Sequence, residues 1–110
     1  MALAELTADR FDLVTDALRE VIDPEIGVNI FDLGLIYGLA WDDEVNALVI
    51  EMTLTSAGCP LQEMLTETVG EALEGVVDGF RINWVWMPPW DIRRITEEGR
   101  EMMRAIGLNI

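Results

Sequence analysis

One cysteine stands in the chain, Cys59, between Gly58 and Pro60. Proline is favoured at the first position of a helix, and Leu61, Met64, Leu65, Val69, Ala72, Leu73 and Val76 follow at helical spacing, so Cys59 is expected at the N-cap. Unpaired amides and the helix dipole there favour an anion, and the thiolate is the form that attacks electrophiles and binds metal. Most lone cysteines are small buried hydrophobes; a loop position beside glycine and proline argues for a reactive thiol instead. A second group is Asp23-Pro24-Glu25, two carboxylates about a residue of fixed φ. They suit a metal-ligand or acid-base pair, or equally a helix stop with solvated charges. Asp32, ahead of Leu33-Gly34-Leu35, reads as a turn residue or a reactive group. Thr55 and Ser56 could position a ligand near Cys59 or satisfy their own loop.

What is missing narrows the chemistry further. There is no histidine, and all seven cations are arginines. Ser-His and Cys-His pairs, histidine zinc sites, lysine Schiff bases and lysine-type phosphate loops are thereby excluded. A formal charge of −14 opposes binding to a phosphate backbone, which requires cations, so neither nucleic acid nor an anionic membrane is an expected partner. Spread along the chain, the acidic residues read as a solubilising surface, with recognition of a basic partner as the alternative. An unpaired thiol suits a reducing cytoplasm. No apolar run approaches the roughly 20 residues that cross a bilayer, and Glu5 and Asp9 stand where a signal peptide would be basic. A soluble, cytoplasmic, single domain over residues 1–110 is expected.

These groups need elements to hold them. Phe11, Val14, Leu18, Val21 and Ile22 form one helical stripe, with Thr7 as N-cap and Asp23-Pro24 as the stop. After a loop from Glu25 to Phe31, Leu33–Trp41 and Ala47–Thr55 alternate as strands about a turn at Asp42–Asn46, a hairpin. The helix opened by Pro60 ends at Gly75 and Gly79. Arg81–Met87 is a third strand, broken by Pro88-Pro89, with Trp84 and Trp86 on one face and Val85 and Met87 on the other, so that its buried side is open. Trp84, Trp86 and Trp90 suit either core packing or a contact surface. A last helix, Glu97 to Ile106, is capped by Thr96 and closed by Gly107. The order α-β-β-α-β-α predicts a small α+β sandwich, a three-stranded mixed sheet with helices mainly on one face.

Taken together and in order, Asp23-Pro24-Glu25, Asp32-Leu33-Gly34-Leu35-Ile36-Tyr37, Met52-Thr53-Leu54-Thr55 with Gly58-Cys59-Pro60, and Pro88-Pro89-Trp90 with Thr96-Glu97-Glu98-Gly99-Arg100 closely resemble the SufT/PaaD-like metal-sulfur cluster assembly family. The likeness runs from about Phe11 to Leu108 and is to the short, SufT-like type, without the C-terminal extension of the phenylacetate-pathway members. It implies the iron-sulfur cluster assembly fold and a role in maturing iron-sulfur proteins. In that role Cys59 is the reactive residue, and Asp23, Glu25, Thr55 and Ser56 line its cleft. Cys59, Asp23 and Glu25 would be ligands for transiently held iron or cluster. Partners would be an assembly scaffold and client proteins.

A cluster usually takes four thiolates, and this chain has one. Either two chains share a cluster through paired Cys59 residues, making a homodimer, or Cys59 is one temporary ligand and a partner supplies the others. The second arrangement is favoured over the first, because transfer needs weak, exchangeable ligation, and a carrier rather than an enzyme is expected. Two further readings stay open: a thiol-dependent transferase using Cys59 with Asp23 or Glu25 as base, and a non-catalytic adaptor between assembly machinery and clients.

Overall fold

The protein is described by a computed structural model covering residues 3–55 and 59–107, the side chains of Cys59 and Pro60 excepted. In chain order the elements are β1 (Leu3–Ala4), α1 (Ala8–Leu18), β2 (Ile36–Asp42), β3 (Ala47–Met52), α2 (Cys59–Leu73), β4 (Phe80–Trp84), a 3-10 turn (Ile92–Arg94) and α3 (Glu97–Ala105). The strands form one sheet in the order β1-β2-β3-β4. β1/β2 and β2/β3 are antiparallel and β3/β4 is parallel. A mixed α+β sheet is as expected, but with four strands. The extra one, β1, pairs only Leu3 with Asp42 and Ala4 with Trp41, too short to show an alternation.

Local signals set most of these elements. Thr7 accepts a hydrogen bond from the Arg10 amide at 3.2 Å and starts α1. That helix ends at Leu18, five residues before Asp23, so Asp23-Pro24 is not its stop. Phe11 and Ile22, expected in the buried stripe, are 43% and 48% exposed, and Val14, Ala17, Leu18 and Val21 form the buried side. The hairpin of β2 and β3 pairs Trp41 with Leu48 and Leu39 with Ile50. β2 starts at Ile36; Leu33 and Leu35 are fully buried in the loop before it. β3 ends at Met52, although the Thr53 amide still bonds Leu35 O at 2.9 Å. β4 runs Phe80–Trp84, and the Val85 amide reaches Met52 O at 2.8 Å. Thr96 caps α3, which closes at Ile106 before Gly107.

The register places Leu48, Ile50 and Met52 of β3 beside Phe80, Ile82 and Trp84 of β4 on one sheet face. That face packs on Val14 and Leu18 of α1 and on Leu65, Val69 and Leu73 of α2 in a continuous apolar core. The opposite face carries Gly38, Ala40, Glu51 and Asn83, together with an ion pair, Arg81 to Asp42 at 2.9 Å, that spans β3 above Val49.

Residues 85–107 are held differently. The Trp90 indole N-H donates to Leu33 O at 2.7 Å, Arg94 Nε donates to Gly34 O at 3.0 Å, and the Arg94 guanidinium lies 4.0 Å over the Tyr37 ring. Tyr37 in turn donates to Pro88 O at 2.6 Å, beside the cis Met87-Pro88 bond. Gly34, at φ +78°, has Arg94 against its open side: an added Cβ would meet Arg94 O and would lie 2.7 Å from Arg94 Cβ.

Two expected outcomes follow. Gly75 has nearly the same φ, +82°, and a Cβ added there would meet nothing within 4 Å. Gly75→Ala should therefore cost only the left-handed backbone penalty, about 1–2 kcal/mol, and Gly34→Ala about 2–4 kcal/mol, as read by urea unfolding. Equal losses would mean that the Arg94 approach does not matter. The second concerns acid. The hydrogen bond from Arg81 holds the Asp42 carboxyl below its ordinary value of 3.8. A depressed carboxyl takes up its proton first in the unfolded chain, so its stabilisation is complete above 3.8 and drains as pH falls through the lower folded value. The wild-type advantage over Asp42→Asn in urea midpoint should shrink over that range.

Candidate functional site

The chain between Ile22 and Asn29 folds into a narrow loop. Ile22 and Asn29 form an antiparallel bridge, the Asp23 amide donates to Val28 O at 3.0 Å, and the Gly27 amide returns to Asp23 O at 2.7 Å, with Gly27 at φ +85°. Asp23 closes this loop from inside. Its Oδ1 accepts hydrogen bonds from the Glu25 amide at 2.8 Å and the Ile26 amide at 3.3 Å. The residue is 0% exposed, and its Oδ2 has no hydrogen-bond partner among the described residues. Glu25, two residues on, is exposed. The carboxylates that flank Pro24 are therefore unlike: one is buried and half committed to the backbone, the other is in solvent.

The second part of the site is the connection from β3 to α2. Thr53 is buried and tied to Leu35, Leu54 is in the core, and Thr55 is half-buried. Ser56 and the Cys59 thiol lie outside the described residues, so their side chains are not placed relative to Asp23. The backbone of Cys59 is the first residue of α2, one position inside the expected N-cap. α2 is 15 residues long with no acidic residue in its first turn, leaving the positive end of the helix without a carboxylate of its own. Among the described residues no group of three His, Cys, Asp or Glu side chains is close enough to hold a metal ion.

Asp32 is a structural residue. Its Oδ2 accepts from Asn29 Nδ2 at 2.7 Å, its Oδ1 accepts from the Thr96 hydroxyl at 2.8 Å, and Arg19 Nε lies 3.8 Å away. Asn29, half of this arrangement, carried no signal in the sequence. The tryptophans divide. Trp90 joins the fold through Leu33, whereas Trp84 and Trp86 stack with centroids 6.3 Å apart at 15°, Trp86 being 43% exposed. Also unforeseen is a cleft of about 360 Å³ beside Trp84, lined by Glu63 and Glu67 of α2.

Known proteins share this architecture. Residues 12–84 match the model of a family described as iron-sulfur cluster assembly protein. The chain is 42% identical over 79 residues to the Fe-S protein maturation auxiliary factor YitW of Bacillus subtilis, covering 70% of this chain and 76% of that one. It is also 42% identical over 72 residues to the Fe-S protein maturation auxiliary factor SufT of Staphylococcus aureus, covering 64% and 81% respectively. A crystal structure of a domain of unknown function, DUF59, from Bacillus anthracis superposes with a TM-score of 0.76 at 36% identity, covering 93% of this chain and 94% of that one. With a family match over residues 12–84 and relatives 42% identical over much of its length, the chain belongs to the iron-sulfur cluster assembly protein family, in its SufT-like branch.

Proposed function

We propose that this protein matures iron-sulfur proteins by carrying iron or a cluster as transient cargo, with Cys59 as an exchangeable thiolate ligand and Asp23 as an oxygen donor beside it. The observation that carries this reading is the buried Oδ2 of Asp23, which has no hydrogen-bond partner among the described residues. Buried polar atoms are nearly always hydrogen-bonded, and an unpaired one costs on the order of 1–3 kcal/mol. A carboxylate kept in that condition, with its other oxygen fixed by two amides, is oriented for a cation. Glu25, in solvent, can join it or exchange with water, and Thr55 with Ser56 borders the thiol along the chain.

The donor set suits a carrier better than a store. One soft sulfur with one or two hard oxygens matches neither a closed four-coordinate zinc site nor a four-thiolate cluster site. The cargo then binds weakly and leaves when a scaffold or client offers more thiolates. Similarity to proteins named Fe-S protein maturation auxiliary factors supports the maturation part of this reading. In this reading the partners are assembly scaffold and client proteins in the cytoplasm; no helix of the described residues is long and apolar enough to cross a membrane. The net charge of −14 keeps nucleic acid out of the partner set.

Cys59→Ser should fold like the wild type and fail to restore iron-sulfur enzyme activity in cells lacking the protein, because serine loses the soft ligand. Full restoration would favour the adaptor reading. Asp23→Asn/Glu25→Gln keeps size and most hydrogen bonding. It should lower the affinity for ferrous iron, titrated anaerobically, by about tenfold or more, in line with the roughly 1.4 kcal/mol that a tenfold change represents. Unchanged iron affinity, with an intact circular dichroism spectrum, would reduce Asp23 to a loop cap. Turnover of a small thioester or sulfur donor would favour the transferase reading.

A further inference from the structure

The two edges of the sheet are unlike. Among the described residues β1 is two residues long and has little edge to offer. β4 is five residues long and pairs only with β3. Gly79 O accepts from the Leu48 amide, and the Val85 amide donates to Met52 O, so the odd-numbered backbone groups of β4 turn toward β3. Those of Phe80, Ile82 and Trp84 consequently point outward, and none has a partner among the described residues. Natural edges are usually blunted by lysine, proline or a bulge. β4 contains none of these, and its one cation, Arg81, is held by Asp42 on the helix-free face.

Beside this open edge lie two clefts between α2 and β4, which together make a groove. α2 lies over the face that carries Phe80, Ile82 and Trp84, close enough that a Cβ on Gly70 would meet the Phe80 ring at 3.3 Å. Toward the Trp84 end is the cleft of about 360 Å³, bordered by Glu63 and Glu67; toward the Phe80 end is another of about 280 Å³, bordered by Glu74 and Asp78. Neither cleft has a basic residue in its lining. None of these four carboxylates has an ion-pair partner among the described residues.

We propose that the groove between α2 and the free edge of β4 receives an extended, arginine- or lysine-bearing segment of a partner protein, added to the sheet as a strand beside β4. Main-chain hydrogen bonds to Phe80, Ile82 and Trp84 supply sequence-independent affinity, and alternate side chains of the segment enter the groove. Charge selects the occupant: cations on those side chains meet Glu63, Glu67, Glu74 and Asp78, and the stacked indoles of Trp84 and Trp86 offer a face for a guanidinium. A second copy of this chain is disfavoured, because it would bring another −14 charge to an acidic groove. The identity of the partner as a scaffold or client rests on the function proposed above; the docking itself does not.

The test uses the full chain, isotope-labelled, titrated with a short synthetic peptide alternating arginine and valine. Shifts concentrated on the Phe80, Ile82 and Trp84 amides, with slowed hydrogen exchange there, are expected. Glu63→Gln/Glu67→Gln should weaken binding roughly fivefold to tenfold, as two exposed ion pairs would. Equal binding of a glutamate-valine peptide, shifts confined to other elements, or no binding at millimolar peptide would overturn the proposal. So would concentration-dependent broadening of β4 without peptide, which would mark the edge as a self-association surface. Cys59→Ser binding the peptide as the wild type does supports the groove whatever becomes of cargo delivery, whereas loss of binding in that variant overturns its independence.

Discussion

The buried carboxylate of Asp32 is the point on which the two halves of this fold are joined. From one side Asn29 donates to it and receives the Asp32 amide in return, at 2.7 and 2.8 Å. From the other, the Thr96 hydroxyl donates to it while accepting the Gly99 amide of the first turn of α3. The Thr96 amide also donates to Asp32 O at 2.8 Å. A single side chain thus closes the loop after α1 and sets where the last helix begins. Charge-assisted hydrogen bonds of this kind are among the stronger ones, and replacing Asp32 would leave several buried groups unpaired at once. Gly99 shares the constraint: its missing Cβ would sit 2.7 Å from Asp32 O.

The same loop carries Asp23, and the contrast between the two buried aspartates separates architecture from chemistry. Both oxygens of Asp32 are occupied; Asp23 spends one on its own loop, and the other has no partner among the described residues. Asp32 is satisfied by side chains from two distant segments, whereas the bonds to Asp23 among the described residues come only from the backbone of its own loop.

Much of this was legible because the signals are local. Thr7 and Thr96 begin their helices as hydroxyl caps must, and the alternation through Leu48, Ile50 and Met52 faces the core as period-two spacing requires. Boundaries failed where tertiary contacts decide them. Leu33 and Leu35 alternate like strand residues but are buried in a loop, Ile22 lies beyond the end of the helix at Leu18, and Phe11, though inside it, is on its exposed side. The face of Trp84 could not be read from β4 alone, since it depends on its register with Met52 of β3. Asp32 was ambiguous for the same reason: Thr96, the group that occupies it, lies 64 residues away. At the site, Asp23 and Glu25 look equivalent in the sequence, and only the path of the loop makes one interior and the other exposed.

The mounting of α3 has a consequence for motion. It touches Asp32, Asn29, Ile92 and Ile95, puts its own Met103 into the core, and forms no ladder with the sheet among the described residues. Its nine residues, with Arg104 answering Glu97 across exposed turns, are too few to be stable as an isolated helix. The helix is therefore a natural unit of sub-global opening: α3 comes away when the Asp32 contacts, the Arg100 bond to Ile92 O and the packing of Met103 are released together, while α1, α2 and the sheet keep their own core. Such opening would expose the backbone of α3 to exchange and to a protease as one unit.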